Sequence, residues 1–279
     1  MLRREGRVVV RELLGVDRGD LAAATEARFN GWMHLTPASL GLPWRDERVR
    51  TTEASLPAWT VPAGDRSRWA VLVHGRSSVR QEALRAVPVL HAAGWTVLLP
   101  AYRGDGEVPE DPAQRYAVPD AEWVDVESAV LHALDAGAHE VLLAAWSSGA
   151  AIALAAAHRS GLRSVVSGVL LDSPLLPRGL DAAEPDARVL VLHSEDDGVA
   201  PVAASRAFVA ARPGRAVLVP FAGARHTRLW NVDPVRWERA VAAWLADDVE
   251  ALAALSETPV ASGRRGGRSR PAAGRPAPR

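Results

Sequence analysis

Short apolar runs alternate with longer stretches of helical length along most of this chain. The runs have the continuous apolar character of strands buried on both faces of a sheet, and they lie at residues 69–73, 95–99, 140–145, 168–171, 188–192 and 216–219. Helical segments are predicted between them at 81–93, 120–136, 148–159 and 199–211, with a last one at 234–246. Strands separated by helices predict a parallel sheet covered on both faces, with ligands at the carboxyl ends of the strands.

Two further extended runs, at 48–53 and 56–61, precede this alternation and bring the expected total to about eight strands. The pattern therefore predicts one α/β domain over residues 48–248. Residues 1–47 form an N-terminal segment that we expect to pack on the core, with a possible helix over 21–29. Periodicity is lost after Asp248, and we expect 249–279, rich in Arg, Gly, Pro and Ala, to be a disordered tail.

Composition excludes several classes of chemistry. The chain has 279 residues, 48% of them hydrophobic, which is enough for a large core. It contains no cysteine, so disulfides, thiolate metal sites and a cysteine nucleophile are excluded. The first apolar run, at 8–10, is too short for an export signal or a membrane span, and we expect a cytoplasmic protein.

The charge is neutral in total but unevenly distributed. All basic residues are arginines, and six of the 33 lie in the last 16 positions. Without those six, 27 basic residues stand against 33 acidic ones, so the body carries about −6. Such a body has no general affinity for nucleic acid or for an anionic membrane. The Arg-rich tail is a weak candidate for nucleic-acid binding, because no aromatic residues are interleaved with its arginines. The oligomeric state is not indicated.

The sequence Ala145-Trp146-Ser147-Ser148-Gly149 stands where a buried strand turns into an alanine-rich helix. A nucleophilic serine is presented on such a strand-to-helix turn when small residues occupy the positions two before and two after it. Ala145 replaces the more usual glycine and is still small. The pentapeptide alone occurs often by chance, so other residues must decide its role.

A nucleophilic serine needs a base, an acid that orients the base, and donors for the developing oxyanion. Three loops at predicted strand ends offer these groups. His74-Gly75-Arg76 follows the third strand, an acidic segment from His193 to Pro201 follows the seventh, and His226 follows the eighth.

At these residues the chain resembles the α/β-hydrolase fold family, in particular bacterial serine esterases and prolyl-oligopeptidase-like hydrolases. The resemblance covers roughly residues 36–245. It is carried by Leu42-Pro43-Trp44, Val71-Leu72-Val73-His74-Gly75, Tyr102-Arg103-Gly104, Ala145-Trp146-Ser147-Ser148-Gly149, the segment from His193 to Pro201, and His226 with Trp230-Asn231-Val232-Asp233-Pro234 behind it.

The resemblance implies a Ser-Asp-His triad. Ser147 matches the nucleophile of the family, His226 its base and Asp197 its acid, while Asp172 at the end of the sixth strand is an alternative acid. The backbone amides of Arg76 and Ser148 match the oxyanion-hole positions. His74, Tyr102 and His193 are expected to shape loops rather than to react.

The connection at 173–187 departs from many family members, in which a cap is inserted at this point. Its fifteen residues barely suffice for a parallel crossover, and Pro174, Pro177, Gly179 and Pro185 leave little room for a full helix, so we expect no cap domain and an open site. The apolar residues among 20–44 offer an alternative cover: Phe29, Trp32, Met33, Leu35, Leu40, Leu42 and Trp44.

The implied activity is the hydrolysis of carboxylic esters, or of amides or short peptides, through an acyl-enzyme. No cofactor or metal is expected, since no His and carboxylate set has zinc-ligand spacing and no phosphate loop is present. Two alternatives stay open: a catalytically weakened hydrolase-like domain that acts as a binding or scaffold module, and an acyltransferase with an acceptor other than water.

Overall fold

The computed structural model describes residues 3–5, 8–10, 16, 20–23, 31–52, 54–76, 78–103, 105, 122–176 and 187–257. The chain divides into two compact units, Met1–Gly31 and Trp32–Arg279. In the first unit, strands β1 (Arg3–Glu5) and β2 (Val8–Val10) pair antiparallel, and a short 3₁₀ helix spans Leu21–Ala23. Residues 24–30 lie outside the described residues, so the helix predicted over 21–29 is represented only by this 3₁₀ turn.

The described residues of the second unit contain a sheet of eight strands. They are β3 (Arg45–Arg50), β4 (Ser55–Val61), β5 (Arg68–Val73), β6 (Thr96–Pro100), β7 (Glu140–Trp146), β8 (Val166–Asp172), β9 (Arg188–Ser194) and β10 (Ala216–Phe221). Their order in the sheet is β10-β9-β8-β7-β5-β6-β4-β3. Neighbours from β10 to β6 are parallel, whereas β4 is antiparallel to β6 and to β3. The predicted mostly parallel sheet of about eight strands is confirmed.

Helices cover both faces of this sheet. They are α1 (Val87–Ala92), α2 (Glu122–Asp135), α3 (Gly149–Arg159), α4 (Val202–Ala210), α5 (Leu229–Val232), α6 (Pro234–Leu245) and α7 (Val249–Glu257). Side chains of β7 alternate between the faces, as a strand requires: Leu143 joins the core under α2, α3 and α4, and Trp146 joins the core under α1, α6 and α7. Because both faces are buried, the central strands are apolar over most of their length.

Two element boundaries differ from the prediction for local reasons. The first strand of the sheet ends at Arg50 rather than at residue 53, because the Thr51 amide donates to the Ala54 carbonyl at 2.8 Å and closes a turn. The helix predicted at 81–93 begins as a 3₁₀ helix, Arg80–Ala86, and becomes α-helical only at α1. Pro88, at the start of α1, has no amide hydrogen with which to continue the preceding helix.

The expectation of a disordered tail from residue 249 is wrong for 249–257, which form α7. The Asp248 carboxylate accepts the Ala251 amide at 2.9 Å and so caps the helix start. Leu252 is buried, and Ala251 and Leu255 pack against the same core cluster. The apolar face of α7 was not recognised in the sequence because the helix has only nine residues. Residues 258–279 lie outside the described residues.

The predicted N-terminal segment, residues 1–47, is divided between the two units at residue 31, and residues 32–44 belong to the larger one. Leu40, Leu42 and Trp44 pack against the core, whereas the side chain of Leu35 is exposed. Phe29 lies outside the described residues. In the described part of the chain, no helix is both long and apolar enough to cross a membrane.

Candidate active site

Ser147 occupies the tight turn between β7 and α3. Its φ is +53°, in the left-handed region that residues other than glycine rarely adopt. Gly149 begins the helix so close to the preceding strands that an added Cβ would lie 2.5 Å from the His74 carbonyl oxygen. Ala145 is fully buried in the core at the end of β7. The small residues around Ser147 therefore permit a strained turn that presents its hydroxyl at the carboxyl edge of the sheet.

The structure brings the hydroxyl of Ser147 and the imidazole of His226 into contact. His226 Nε2 lies 2.7 Å from Ser147 Oγ, and His226 Nδ1 lies 2.8 Å from Asp197 Oδ2. The side chain of Asp197 is inaccessible to solvent, and that of His226 is 16% exposed. A carboxylate accepts and cannot donate, so Nδ1 carries the proton and Nε2 is free to accept the serine proton.

The Asp197 carboxylate is held by its own loop. Its Oδ1 accepts the amides of Val199 at 2.8 Å and Ala200 at 2.9 Å. Burial acts to raise the pKa of Asp197, but the hydrogen bonds from the Ala200 amide, His226 and the Val199 amide outweigh it and hold that pKa below its ordinary value. His193 packs beneath, with Nε2 2.9 Å from the Ala200 carbonyl oxygen and 3.3 Å from Asp197 Oδ2. Asp197 is thus ionised and fixed opposite His226.

Asp172, the alternative acid, faces a different set of groups. Its Oδ1 accepts the hydroxyl of Ser173 and its Oδ2 the indole N–H of Trp237, each at 2.9 Å. Burial raises its pKa, although Arg85 acts in the opposite direction. Among the hydrogen bonds of the described residues, none joins Asp172 to His226, so the geometry favours Asp197 as the partner of the imidazole.

The two amides predicted to bind an oxyanion lie on adjacent segments. Gly75 approaches Ser147 so closely that an added Cβ would lie 2.9 Å from the Ser147 Cβ. The next amide, that of Arg76, donates to Ser148 Oγ at 2.7 Å. In the free protein the Arg76 amide is therefore occupied by the hydroxyl of Ser148, a contact that the sequence did not suggest.

The loop that carries Arg76 is anchored from below by aromatic and charged side chains. The Tyr102 hydroxyl donates to the His74 carbonyl oxygen at 2.6 Å, and the two rings stack with centroids 4.3 Å apart. His74 Nε2 lies 3.3 Å from Asp105 Oδ2, with both side chains fully buried. His74 is too enclosed to serve as a base, which fits the loop-shaping role expected for it.

Three contacts near the serine were missed at the level of sequence. The Leu175 amide donates to the Ser147 carbonyl oxygen at 2.9 Å, and Ser173 Oγ accepts the Thr227 amide at 3.1 Å. Glu82 accepts the Gly75 amide at 3.1 Å. Leu175 and Ser173 belong to no recognisable sequence motif, so nothing in the sequence pointed to them. Glu82 lies three residues before an arginine in the predicted helix, a spacing that is typical of a solvated ion pair.

No group of three or more His, Asp or Glu side chains within the described residues is arranged to hold a metal ion. What the residues present can do is acid–base and nucleophilic chemistry. A hydroxyl, an imidazole and a carboxylate form a continuous hydrogen-bonded chain at the carboxyl edge of the sheet.

The comparisons with known proteins agree with this architecture. The model of the alpha/beta hydrolase family matches residues 70–278, and the chain belongs to that family. An esterase of Pyrococcus furiosus, PF2001, is similar in structure at a TM-score of 0.66 and 18% identity, over 77% of this chain and 94% of the esterase.

Other solved structures are similar to the same degree. An alpha-beta serine hydrolase homologue from Coxiella burnetii matches with a TM-score of 0.60 and 15% identity, over 74% of this chain and 97% of its own. A thermophilic esterase from Thermogutta terrifontis matches with a TM-score of 0.58 and 17% identity, over 73% of this chain and 98% of the esterase. At these identities the likeness shows the fold. No match was found among curated protein sequences.

Proposed function

We propose that this protein is a serine hydrolase that cleaves carboxylic esters of small molecules through an acyl-enzyme intermediate. The observation that carries the proposal is the chain of contacts from Ser147 Oγ to His226 Nε2, at 2.7 Å, and from His226 Nδ1 to Asp197, at 2.8 Å. Both distances lie in the range needed for proton transfer between positioned groups. The resemblance to solved esterases in fold supports the same reaction class.

The first half of the reaction acylates the serine. Ser147 Oγ attacks the ester carbonyl carbon while His226 Nε2 takes its proton, and the carbonyl oxygen becomes an oxyanion facing the amides of Arg76 and Ser148. The tetrahedral intermediate then expels the alcohol oxygen, which receives the proton from Nε2. Asp197 keeps the imidazole in the required orientation and stabilises its positive charge.

Deacylation repeats these steps with water in place of the serine hydroxyl. Water gives a proton to His226 Nε2 and attacks the acyl carbon, and Ser147 leaves with that proton restored to its oxygen. The products are a carboxylic acid and an alcohol, and the protein returns to its starting state. No step requires a metal or an organic cofactor.

A fluorophosphonate probe tests the proposal directly, because it labels only an activated serine. We expect one probe adduct by intact mass, located at Ser147 by peptide mapping, together with release of p-nitrophenol from p-nitrophenyl acetate. Ser147→Ala should abolish both. If the folded protein neither reacts with the probe nor hydrolyses a panel of esters, the binding or scaffold alternative replaces the enzyme.

The nature of the acceptor needs a separate measurement. In the presence of an added alcohol or amine, the acyl-enzyme partitions between hydrolysis and transfer. We expect the carboxylic acid to be the main product, as water is the acceptor in the proposal. A product dominated by the transferred acyl group would identify an acyltransferase instead.

A further inference from the structure

Three charged side chains lie between the loop that carries Arg76 and the loop that carries His226. Glu82 and Arg85 belong to the 3₁₀ helix after β5, and their side chains are 6% and 3% exposed. Arg228, two residues after His226, is 26% exposed. Burying such groups is unfavourable unless they compensate one another. Their contacts therefore need an explanation beyond packing.

Glu82 holds the first of the two loops. Its Oε2 accepts the Gly75 amide at 3.1 Å, immediately before Arg76, whose amide is the proposed oxyanion donor. Its other oxygen, Oε1, lies 3.8 Å from Arg228 Nη1 and 4.0 Å from Arg85 Nη2. A single buried carboxylate therefore contacts the backbone of one loop and both guanidinium groups.

The two arginines bind the second loop at a shared atom, and Arg85 Nη1 also donates to Asn231 Oδ1 at 3.0 Å. Arg85 Nη1 and Arg228 Nη1 each donate to the Thr227 carbonyl oxygen at 2.9 Å. Thr227 directly follows His226 and has a φ of +51°, in the left-handed region. Two guanidinium donors on one carbonyl fix the peptide plane next to the imidazole.

The negative charge of Glu82 compensates the positive charges of both arginines. Nε and Nη2 of Arg85 have no hydrogen-bond acceptor among the described residues, so this cation depends on nearby negative charge. Burial lowers the pKa of Arg228, and Arg85 lowers it further, while Glu82 and Asp172 act to raise it. Without Glu82, two cations would face the same carbonyl with only Asp172 nearby, and burial favours the neutral form of that carboxyl.

We propose that Glu82 is a positioning residue that couples the oxyanion loop to the base loop through Gly75 on one side and through Arg85 and Arg228 on the other. The proposal rests on the proposed function and deepens it, since it names the group that sets the distance between the two halves of the site. Reacting groups must be held to within about half an ångström of their productive geometry. Ion pairs and hydrogen bonds made by these three side chains span both loops.

The test uses Glu82→Gln, which keeps an acceptor for the Gly75 amide and removes the charge. Glu47→Gln is the matched control, because Glu47 also makes side-chain hydrogen bonds. It lies 2.8 Å from the Thr60 hydroxyl and 3.0 Å from His132 Nε2. These contacts join β3 to β4 and α2, and neither involves the two loops. Hydrogen exchange by mass spectrometry is measured on the full chain for peptides covering residues 74–80 and 222–232. This readout does not depend on catalysis.

For Glu82→Gln we expect hydrogen exchange to accelerate about tenfold in both peptides, because a charge-assisted contact is lost. Glu47→Gln should leave exchange in both peptides unchanged. The value of kcat for p-nitrophenyl acetate should fall about 10- to 100-fold at nearly constant KM, the result of misplaced rather than missing groups. Faster exchange in one loop only, or in neither, would overturn the coupling, and so would an unchanged kcat in an active protein.

The two proposals fail in different ways. If the wild-type protein does not react with the fluorophosphonate, the proposed function falls, while exchange in the two loops still decides whether Glu82 couples them. A double substitution strengthens the test. If Glu82 acts through Arg228, then Glu82→Gln combined with Arg228→Gln should accelerate exchange in the base loop little more than the stronger single change, whereas independent effects would multiply.

Discussion

Replacing Asp197 by asparagine is the sharpest perturbation of the proposed triad. Oδ1 of Asp197 is held by the amides of Val199 and Ala200, so the carbonyl oxygen of an asparagine would take that position. Its NH₂ group would then face His226 Nδ1, now 2.8 Å from a carboxylate oxygen. Two donors cannot face each other, so Nδ1 would become the acceptor and the imidazole proton would move to Nε2.

An imidazole with its proton on Nε2 cannot accept the proton of Ser147. In the well-known serine protease triad this change of tautomer lowers kcat about 10⁴-fold with little change in structure, and we expect a loss of the same order here. That factor corresponds to about 5 kcal/mol of transition-state stabilisation. The assay is the initial rate of p-nitrophenyl acetate hydrolysis, with circular dichroism and thermal unfolding to show that the variant is folded.

Asp172→Asn is the matched control, since it makes the same change at a buried carboxyl that contacts Ser173 and Trp237. Its effect on kcat/KM should be less than about tenfold, the value of one hydrogen bond. A large fall in Asp172→Asn with little change in Asp197→Asn would reverse the assignment of the acid. More than a tenth of wild-type activity in a folded Asp197→Asn protein would refute the tautomer argument.

Four further outcomes are expected. Ser147→Ala should lower ester hydrolysis by about 10³-fold or more, whereas Ser148→Ala, which removes one hydroxyl, should change kcat/KM less than about tenfold; equal losses would contradict the identity of the nucleophile. The raised pKa of Asp172 means that the folded protein retains a proton already lost by the unfolded chain, so the free energy of unfolding falls as pH rises from the ordinary to the raised pKa. Asp172→Asn should remove this fall, and its melting temperature relative to wild type should increase from about pH 4 upward; a constant difference would argue against it. Gly149→Ala places a Cβ 2.5 Å from a backbone carbonyl oxygen and should cost about 1–3 kcal/mol of stability, whereas Gly161→Ala, with nothing within 4 Å, serves as the unstrained control in thermal unfolding. An open site should give little rise in kcat/KM from acetyl to octanoyl esters, against a factor of about 4 per buried CH₂ in a closed pocket; a steep preference for long chains would show that the site is covered.

The sheet could be predicted because its central strands are buried on both faces. Continuous apolar runs of four to six residues, separated by helical segments, are typical of such strands. Strand ends were harder to predict. Asp172 and Ser194 extend β8 and β9 beyond their apolar runs, although both are fully buried. Asp172 accepts the indole N–H of Trp237, 65 residues further along the chain, and the Ser194 hydroxyl accepts the amide of Asp196 in its own loop. Hydropathy does not report such hydrogen bonds.

The residues of the candidate site were proposed from the resemblance to the α/β-hydrolase family. Small residues two before and two after Ser147 match the strand-to-helix turn of that family, and the segment from His193 to Pro201 matches its acid motif at Asp197. The ionic contacts among Glu82, Arg85 and the His226 loop were not predictable. The contacts of Glu82 and Arg85 with the His226 loop join positions more than 140 residues apart. Between themselves, Glu82 and Arg85 have the spacing of a pair that is far more often solvated on a helix surface.

The hydrogen bond from the Arg76 amide to Ser148 Oγ has a consequence for how binding energy is used. In the proposed reaction, the neutral carbonyl oxygen of a substrate must compete with a hydroxyl that already satisfies this amide at 2.7 Å. Substrate binding gains little free energy when the carbonyl oxygen replaces the hydroxyl, because one neutral hydrogen bond is exchanged for another. An alkoxide forms a bond about twice as strong and displaces the hydroxyl. In this mechanism the Arg76 amide binds the oxyanion of the transition state but not the neutral substrate, so it raises kcat without tightening the binding of the substrate.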